Sequence, residues 1–407
     1  MTLAPADGRW AVYVHFPFCI HRCSYCDFAT VAAATVPRER ALAATLRELE
    51  LRTGSLAPAP IASIFFGGGT PSLWGPGPVG DVLRWLDAWG GIAVDAEITL
   101  EANPGAAESG DLYDYAAVGI NRISLGVQAT EDDRLRALDR VHDAESALAT
   151  ARQLGEMVAT GRLASASADL LFGAPGQDMA ALERDLDALM ACGLPHLSAY
   201  ALTVEPETPL GRMVARGARS APDDDLQAAM LEAIPGRLAP HGLERYEVSN
   251  FARPGHESRH NLAYWRGDHY LAVGVGAHGF LPASDGPGAR YGNTRSIGRW
   301  FAAIDGGGLA EDLCEAIDPD AHLDELLLTG LRLREGVRLP RLAARVGTRA
   351  PERVRLALQR LMATPRGRLA DGSPAFWLAA DRVGVTPAAV AGLDGLILAL
   401  VDEIAAV

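Results

Sequence analysis

Apolar residues fall along the first 250 positions in short runs separated by stretches of helical period. The runs at 11–16, 61–66, 97–101, 121–127, 166–171 and 197–203 have the length and unbroken apolar character of strands buried on both faces. A seventh run, 244–249, is read as extending the same sheet. Between the runs the spacing predicts helices. Pro37 opens the first, Leu42, Leu46 and Leu49 form its apolar stripe, and Gly54 ends it. Further helices are predicted at 81–89, 108–117, 131–155 and 178–192. Alternating strands and helices imply a parallel sheet. Six units are too few for a complete eightfold barrel. The expected class is therefore α/β, with a partial (β/α)6 TIM-like barrel over residues 1–250.

The pattern then changes twice. Residues 251–310 are rich in Gly, His, Arg and aromatics with weak periodicity, and are read as irregular structure over the barrel mouth, with 281–289 as a loop. From 311 to 407 helical segments dominate: AHLDELLLTGLRL, LPRLAARV and PERVRLALQRLMA. A small hairpin is expected at 367–380 and a terminal helix at 387–405. This is an α-rich, winged-helix-like module with a packing role.

Composition adds exclusions. With 37 basic residues, all arginine, against 51 acidic ones, the net charge is −14. That argues against a sequence-independent grip on nucleic acid. No window offers roughly 18 uninterrupted apolar residues, so no membrane span is expected. The opening MTLAPADGRW lacks a signal pattern, and a cytoplasmic location with reduced thiols is the expectation.

Three of the five cysteines, Cys19, Cys23 and Cys26, follow the first strand in the segment YVHFPFCIHRCSYCDF. An odd count with one tight cluster points to a metal or redox site, not to a disulfide framework. Loops after strand C-termini form the active face of α/β barrels. Three convergent thiolates can hold a soft metal or an iron–sulfur cluster. His15, His21 or Asp27 could instead complete a four-ligand zinc site. Cys192 and Cys314 are expected to pack as small apolar groups, Trp85 and Trp89 as core, and His196 and His322 to have only local partners.

The C-x3-C-x2-C spacing after the first strand of a partial barrel resembles the radical S-adenosylmethionine (SAM) superfamily. The resemblance spans roughly residues 11–405. It implies a [4Fe–4S] cluster on Cys19, Cys23 and Cys26, whose open iron chelates the amino and carboxylate groups of SAM. Reduction then cleaves the sulfonium to a 5′-deoxyadenosyl radical. FFGGGTP at 65–71 resembles the edge that binds the methionine amino group, with Gly68, Gly69 and Thr70, the last replacing a glutamate. Its glycines would let a ligand approach backbone N–H groups. Glu101 in LEANP would accept from ribose hydroxyls, and Gln128 ends the next strand. Arg140 suits a carboxylate fork. Asp169, a carboxylate within an apolar strand, needs a partner, and the resemblance suggests SAM. Tyr13 has the family's six-residue spacing before Cys19 for a SAM-contacting tyrosine, and Phe28 would flank the adenine.

Two features place the resemblance within the HemN/HemW branch, which holds oxygen-independent coproporphyrinogen III oxidases and a group of haem chaperones. The oxidases carry a further cysteine where this chain has Phe28. HNLAYW at 260–265 matches the haem-binding motif of the chaperones. His260 offers an imidazole ligand; Asn261 belongs to the motif; Tyr264 and Trp265 offer flat faces for a macrocycle. Arg253, Arg259 or Arg266 could meet propionates, with His256 and His269 as candidate second ligands and His278 as a structural histidine. The resemblance thus implies a chaperone that binds haem and SAM and passes haem to acceptor proteins, respiratory ones among them, with homodimerisation a further expectation. Coproporphyrinogen oxidase activity, or that of another radical enzyme of this branch, is the alternative.

Overall fold

The computed structural model describes residues 2–406; Met1 and Val407, the outermost residues of the expected first and last domains, lie outside them. Six strands follow the expected runs: β1 (Trp10–Phe16), β2 (Ile61–Gly68), β3 (Ile92–Ala102), β4 (Arg122–Gln128), β5 (Ser165–Phe172) and β6 (His196–Ala201). They pair in sequence order and in parallel. This is the α/β, partial (β/α)6 barrel that the alternation of runs and helices predicts. Its side chains are buried on both faces: Trp10, Val12, Val14 and Phe16 on one face of β1 are essentially solvent-free, and Ala11 and His15 on the other are buried as well. Such burial is what the unbroken apolar runs required. The crossover helices are set by local capping. Asp143 accepts from the Ser146 N–H at 2.8 Å and Asp178 from that of Ala181 at 2.7 Å, fixing the starts of the helices behind β4 and β5.

Several expectations fail for local reasons. The helix at 131–155 is two, Asp132–Ala137 and Ala144–Ala159; Asp139 breaks it at φ 58° and Asp143 restarts it. The 108–117 helix is also two, Ala106–Ser109 and Leu112–Ala117, split where Gly110 takes φ 59°. The 244–249 strand shrinks to Glu244–Arg245. Glu247 accepts from the Ser249 N–H at 3.1 Å, which turns the chain back so that Asn250–Ala252 runs antiparallel to β6.

The largest correction concerns 251–310. Far from irregular, it contains the helix Arg259–Trp265, strands β7 (Tyr270–Val273), β8 (His278–Leu281) and β9 (Gly288–Asn293), and the helix Ile297–Asp305. Strand β7 pairs in parallel with β1, Tyr13 opposite Ala272. Strands β8, β9 and β10 (Glu311–Ile317) continue antiparallel from it. With four residues and glycines at its exit, β7 was too short for its period to show. Cys314, on outer strand β10, is exposed instead of packed, whereas Cys192 is buried as expected.

The C-terminal part has its own core, including Leu326, Leu327, Val354, Leu358, Phe376, Val383 and Leu400. Helices Pro319–Gly330, Leu339–Val346 and Ala350–Met362 and a terminal helix, Leu393–Ala405, accompany a three-stranded antiparallel sheet whose first strand, Val337–Arg338, lies between the first two helices. The arrangement is winged-helix-like. Its hairpin pairs Phe376–Leu378 with Arg382–Val385, later than expected; the earlier Asp371 turn is only an isolated bridge. The terminal helix likewise starts later, after a 3-10 turn over Pro387–Gly392. Among the described residues no helix is long and apolar enough to cross a membrane.

Candidate cofactor site and the adjoining cavity

The cysteine loop leaves β1 at the carboxyl end of the parallel sheet, where ligand sites of α/β folds form. A two-residue ladder closes it, Phe18–Cys19 pairing in parallel with Val31–Ala32. Within it the Cys26 N–H donates to Cys23 O at 3.1 Å. Cys19 and Cys23 are buried and Cys26 is half-buried. All three thiols line one cavity of about 360 Å³ with Thr70, Glu101, Asn103, Gln128, Arg140 and Asp169. Phe28, Gly68 and Gly69 border the same space. The structure therefore brings together every residue expected at the SAM site except Tyr13.

Each neighbour has a distinct electrostatic state. Arg140, deeply placed, donates to Asn103 Oδ1 at 2.6 Å, to Gly126 O at 2.9 Å and to Cys23 Sγ at 3.4 Å. Burial pushes the Cys19 thiol up to about 11, opposed by a hydrogen bond with Thr70. Burial also raises the Cys23 thiol, and the Arg140 charge pulls it back. Glu101 accepts from the Gly68 N–H at 2.9 Å. Burial, with the Asp169 charge beside it, lifts its carboxyl to about 8. Asp169 is raised too, chiefly by burial, and holds the Ser124 hydroxyl at 3.2 Å. Gln128 sits at φ 69°, a costly conformation for a residue with a side chain.

The glycines serve the protein's own packing. A Cβ on Gly68 would stand 2.5 Å from the His15 ring, and one on Gly69 would stand 2.6 Å from Phe18 O. Their N–H groups are also spent: Gly68 on Glu101, Gly69 on Phe16 O at 2.7 Å, and Thr70 on Phe18 O at 2.9 Å. This corrects the expectation that the edge presents free N–H groups. An edge whose donors are engaged can offer only acceptors, which suits an ammonium and not an anion. Asn103, which joins Thr70 Oγ1 at 3.0 Å to Arg140, was not singled out from the sequence. Its place beside Glu101 in LEANP, at a strand end, was the available signal.

The donor set fits a cluster and SAM. Three thiols share one wall, a guanidinium stabilises one thiolate, and two buried carboxylates accept fewer hydrogen bonds than they can. Among the described residues no three His, Cys, Asp or Glu groups already converge on a single-ion site.

A second cavity of about 690 Å³ adjoins the first and shares Phe28, Gly68 and Glu101 with it. Tyr13 lies here, its hydroxyl paired with His15 Nδ1 at 3.0 Å. Its ring stacks near Phe65 at 6.1 Å. Tyr264, Tyr270 and Phe280 add aromatic wall, with His278, Arg290 and Arg295 as polar groups. The expected tetrapyrrole residues divide. Tyr264 lines the cavity; His260 lies behind it, solvent-free, with Nδ1 on Ser63 Oγ at 2.9 Å and Nε2 on Tyr264 OH at 2.7 Å. Burial drives its pKa down to about 3. Both ring nitrogens are thus engaged, against the expectation of a free ligand. Asn261 lies in the first turn of the same helix, its N–H held by Ser258 Oγ at 3.3 Å. Trp265 turns toward a different depression beside Arg266 and Leu326, so Tyr264 and Trp265 do not present one continuous face.

The proposed propionate arginines are committed elsewhere: Arg253 to His241 O, Arg259 to Asp95 and Arg266 to Glu335. His256 is held by Ser165 Oγ, and His269 by Pro287 O and the Ala6 N–H. Arg290 and Arg295, which sequence reading passed over, are the cavity's cations, paired with Glu325 and Asp27; they sit just beyond the segment read as loop.

Comparison with known proteins agrees with this geometry. The Radical SAM superfamily model matches residues 13–189, and the HemN C-terminal domain model matches 317–372. The chain is 39% identical to the heme chaperone HemW of Mycobacterium tuberculosis over 376 residues, covering 90% of this chain and 94% of that protein. It is 31% identical to HemW of Bacillus subtilis, covering 83% and 87%, and 37% identical to that of Escherichia coli, covering 70% and 74%. Coproporphyrinogen III oxidase (HemN) of Escherichia coli shares the fold at TM-score 0.77 and 19% identity, over 96% of this chain and 90% of that one.

Proposed function

The chain belongs to the HemW family of radical SAM proteins, and from that premise we propose how its two cavities divide the work of a haem chaperone. The smaller takes the cluster on Cys19, Cys23 and Cys26 and SAM beside it. A bound cluster supplies an iron open to the amino-acid end of SAM and an electron store. Arg140 keeps Cys23 in its ligand form and presents its fork to the SAM carboxylate. Glu101 and Asp169 take the ribose hydroxyls, Gly69 and Thr70 border the ammonium, and Gln128 and Phe28 flank the adenine.

The larger cavity takes haem. Its volume is in the range that buries a ligand of this class. The observation that carries the reading is the aromatic wall of Tyr13, Tyr264, Tyr270 and Phe280, with Arg290 and Arg295, directly beside the thiol cavity. Within HNLAYW, Tyr264 meets the ligand and His260 holds the Tyr264 hydroxyl in place. The protein passes its haem to apo-haemoproteins of the cytoplasm, respiratory ones among them, and works as a homodimer.

The test is stoichiometric titration of anaerobically reconstituted protein with haemin, with and without SAM, followed by mixing with an apo-acceptor. A Soret shift at one haem per chain and its transfer to the acceptor are expected. Release of carbon dioxide from coproporphyrinogen III coupled to deoxyadenosine formation would point to the oxidase instead.

A further inference from the structure

Three consecutive residues after the last cysteine of the loop, Asp27, Phe28 and Ala29, line the larger cavity. The exit of the cysteine loop is therefore also a wall of that cavity. It is held from two directions. Arg22, inside the loop, donates to Cys26 O at 3.1 Å and to Phe28 O at 3.4 Å. Arg295, 268 residues after Asp27, donates through Nη2 both to the Asp27 backbone carbonyl and, at 3.2 Å, to its carboxylate Oδ1.

Arg295 stands on a short, fixed connection between β9 and the helix Ile297–Asp305. Before it, Thr294 is buried, its N–H on Ala310 O at 2.7 Å and its carbonyl accepting from the Gly276 N–H at 2.9 Å. After it, Ser296 caps the helix by accepting from the Arg299 N–H at 3.4 Å. Gly276, at φ 66°, lets these segments close up: a Cβ there would stand 2.5 Å from Ala29 Cβ and 3.6 Å from Arg295 Cγ. The backbone beneath the guanidinium is set before any ligand arrives, which lowers the ordering cost of using it.

The two cavity arginines differ in what they have left to give. Arg290 spends Nη1 and Nη2 on Glu325, at 2.6 and 3.0 Å, with Glu315 3.6 Å away. Arg295 spends only Nη2 among the described residues, and its side chain is 60% exposed. A guanidinium carries five N–H donors, so it can accept a second carboxylate without releasing the first. An ion pair this exposed contributes little to stability. What the Arg295–Asp27 pair does provide is a link from the cavity to the residue beside Cys26.

We propose that Arg295 bridges a carboxylate of the tetrapyrrole in the larger cavity to Asp27, so that filling this cavity tightens the hold on the cluster loop. This role rests on the haem reading above. Nη2 keeps Asp27 and Nη1 takes the ligand. A guanidinium anchored at both ends has less freedom than one anchored at Asp27 alone, and the Cys26–Phe28 segment shares that loss of freedom.

The test compares haemin with its dimethyl ester, which has the same ring and iron but no carboxylate. Full-length protein carries a cluster reconstituted with isotopically labelled iron, so that cluster iron is counted apart from haem iron. Absorbance titration gives tetrapyrrole affinity, and transfer of labelled iron to a chelator gives the rate of cluster loss, compared within each variant with and without ligand. Circular dichroism is the fold control. Wild type should prefer haemin to the ester by roughly tenfold, and haemin, not the ester, should slow cluster loss. Arg295→Ala should bind the two alike and lose the protection. Asp27→Ala leaves the guanidinium in place; it should keep the preference and weaken the protection, a split that a merely structural role for Arg295 would not produce. Equal binding of haemin and ester by wild type, or a preference that survives in Arg295→Ala, overturns the role of Arg295 and leaves the chaperone reading standing. Protection by the ester equal to that by haemin overturns the bridge to Asp27. If wild type takes up neither tetrapyrrole, the chaperone reading fails, and the bridge with it.

Discussion

Arg140 Nη1 lies 3.4 Å from Cys23 Sγ, while Nη2 of the same guanidinium grips Asn103 and the Gly126 carbonyl. One side chain thus ties the cysteine loop to the ends of β3 and β4. It arrives from just beyond the short helix Asp132–Ala137, and the break in the expected long helix is what places it there. Removing it would leave Cys23 facing burial without a compensating cation. Arg140→Ala should lower cluster occupancy on limiting iron and sulfide, and weaken SAM binding by about 10- to 100-fold, as loss of supporting contacts does at metal sites. Arg140→Lys should recover charge but not the fork, and so restore cluster loading more than SAM affinity. Iron content and equilibrium dialysis of SAM check both; equal loss in the two variants would contradict this division of roles.

Glu101 gives a pH dependence with a definite sign. Its folded pKa is about 8 against an ordinary value of 4.5, so between those values the folded chain holds a proton that the unfolded chain has released. Stability of the ligand-free protein should therefore fall as pH rises from 4.5 toward 8, and be unaffected by this group below 4.5. Glu101→Gln removes the charge that must be buried. It should be more stable than wild type at pH 8 by roughly 1–3 kcal/mol and should flatten the slope. Urea unfolding at a series of pH values measures it; parallel slopes for the two proteins would exclude Glu101 as the source.

Much of this was legible in the chain. The six buried runs read as strands because they are too short for helices of ordinary length, and a strand of that length in a parallel sheet buries both of its sides. The cysteine spacing needed only its position after the first strand to announce a site. Short elements were not legible. Strand β7 has four residues, and its identity comes from pairing with β1, a contact more than 250 residues away in sequence. The use of FFGGGTP was half-visible: the glycines were plain, but that they make room for His15 and Phe18 depends on which backbone crosses them. HNLAYW shows the same limit. Its Tyr264 lines the larger cavity, yet Ser63, from a strand nearly 200 residues earlier, decides that His260 is hydrogen-bonded on both sides. His322, read as having only local partners, is buried with neither ring nitrogen hydrogen-bonded among the described residues, which is a property of its surroundings.

His260 should behave as a structural histidine with a haem-dependent echo. It joins Ser63 on β2 to Tyr264 on the cavity wall, and its N–H donates to Glu97 at 3.0 Å. His260→Ala would leave two buried hydroxyls without their partner. A loss of about 2–4 kcal/mol in unfolding free energy is expected. The wild-type contribution has an acid limit. With a folded pKa of about 3 against 6.5 unfolded, protons favour the unfolded chain as pH drops below 6.5. The variant's stability should vary less with pH between 6.5 and 3, which denaturation midpoints across that range would show. His260→Ala should also loosen Tyr264 on the cavity wall and weaken haemin binding, which haemin titration of the variant beside wild type would show.

The two cavities share Phe28, Gly68 and Glu101, so occupancy of one should be felt in the other. Phe28 is 63% exposed, a large apolar ring at the boundary with little to hold it. An adenine packed on it would order the ring and complete a wall of the larger cavity before haem arrives. A ligand that pays the ordering cost for its neighbour produces positive coupling. SAM should therefore tighten haemin binding by about fivefold to a hundredfold, the range of ordinary coupling energies, and haemin should tighten SAM binding by the same factor. Phe28→Ala should abolish most of that coupling while sparing the cluster, because the backbone carbonyl and not the ring of Phe28 contacts the loop through Arg22. Haemin titrations at zero and saturating SAM, on wild type and variant, give the factor directly. Reciprocity supplies the internal check, since unequal factors in the two directions would mean the titrations had not reached equilibrium. Equal haemin affinity with and without SAM would mean that the shared residues transmit nothing and that the cavities work independently.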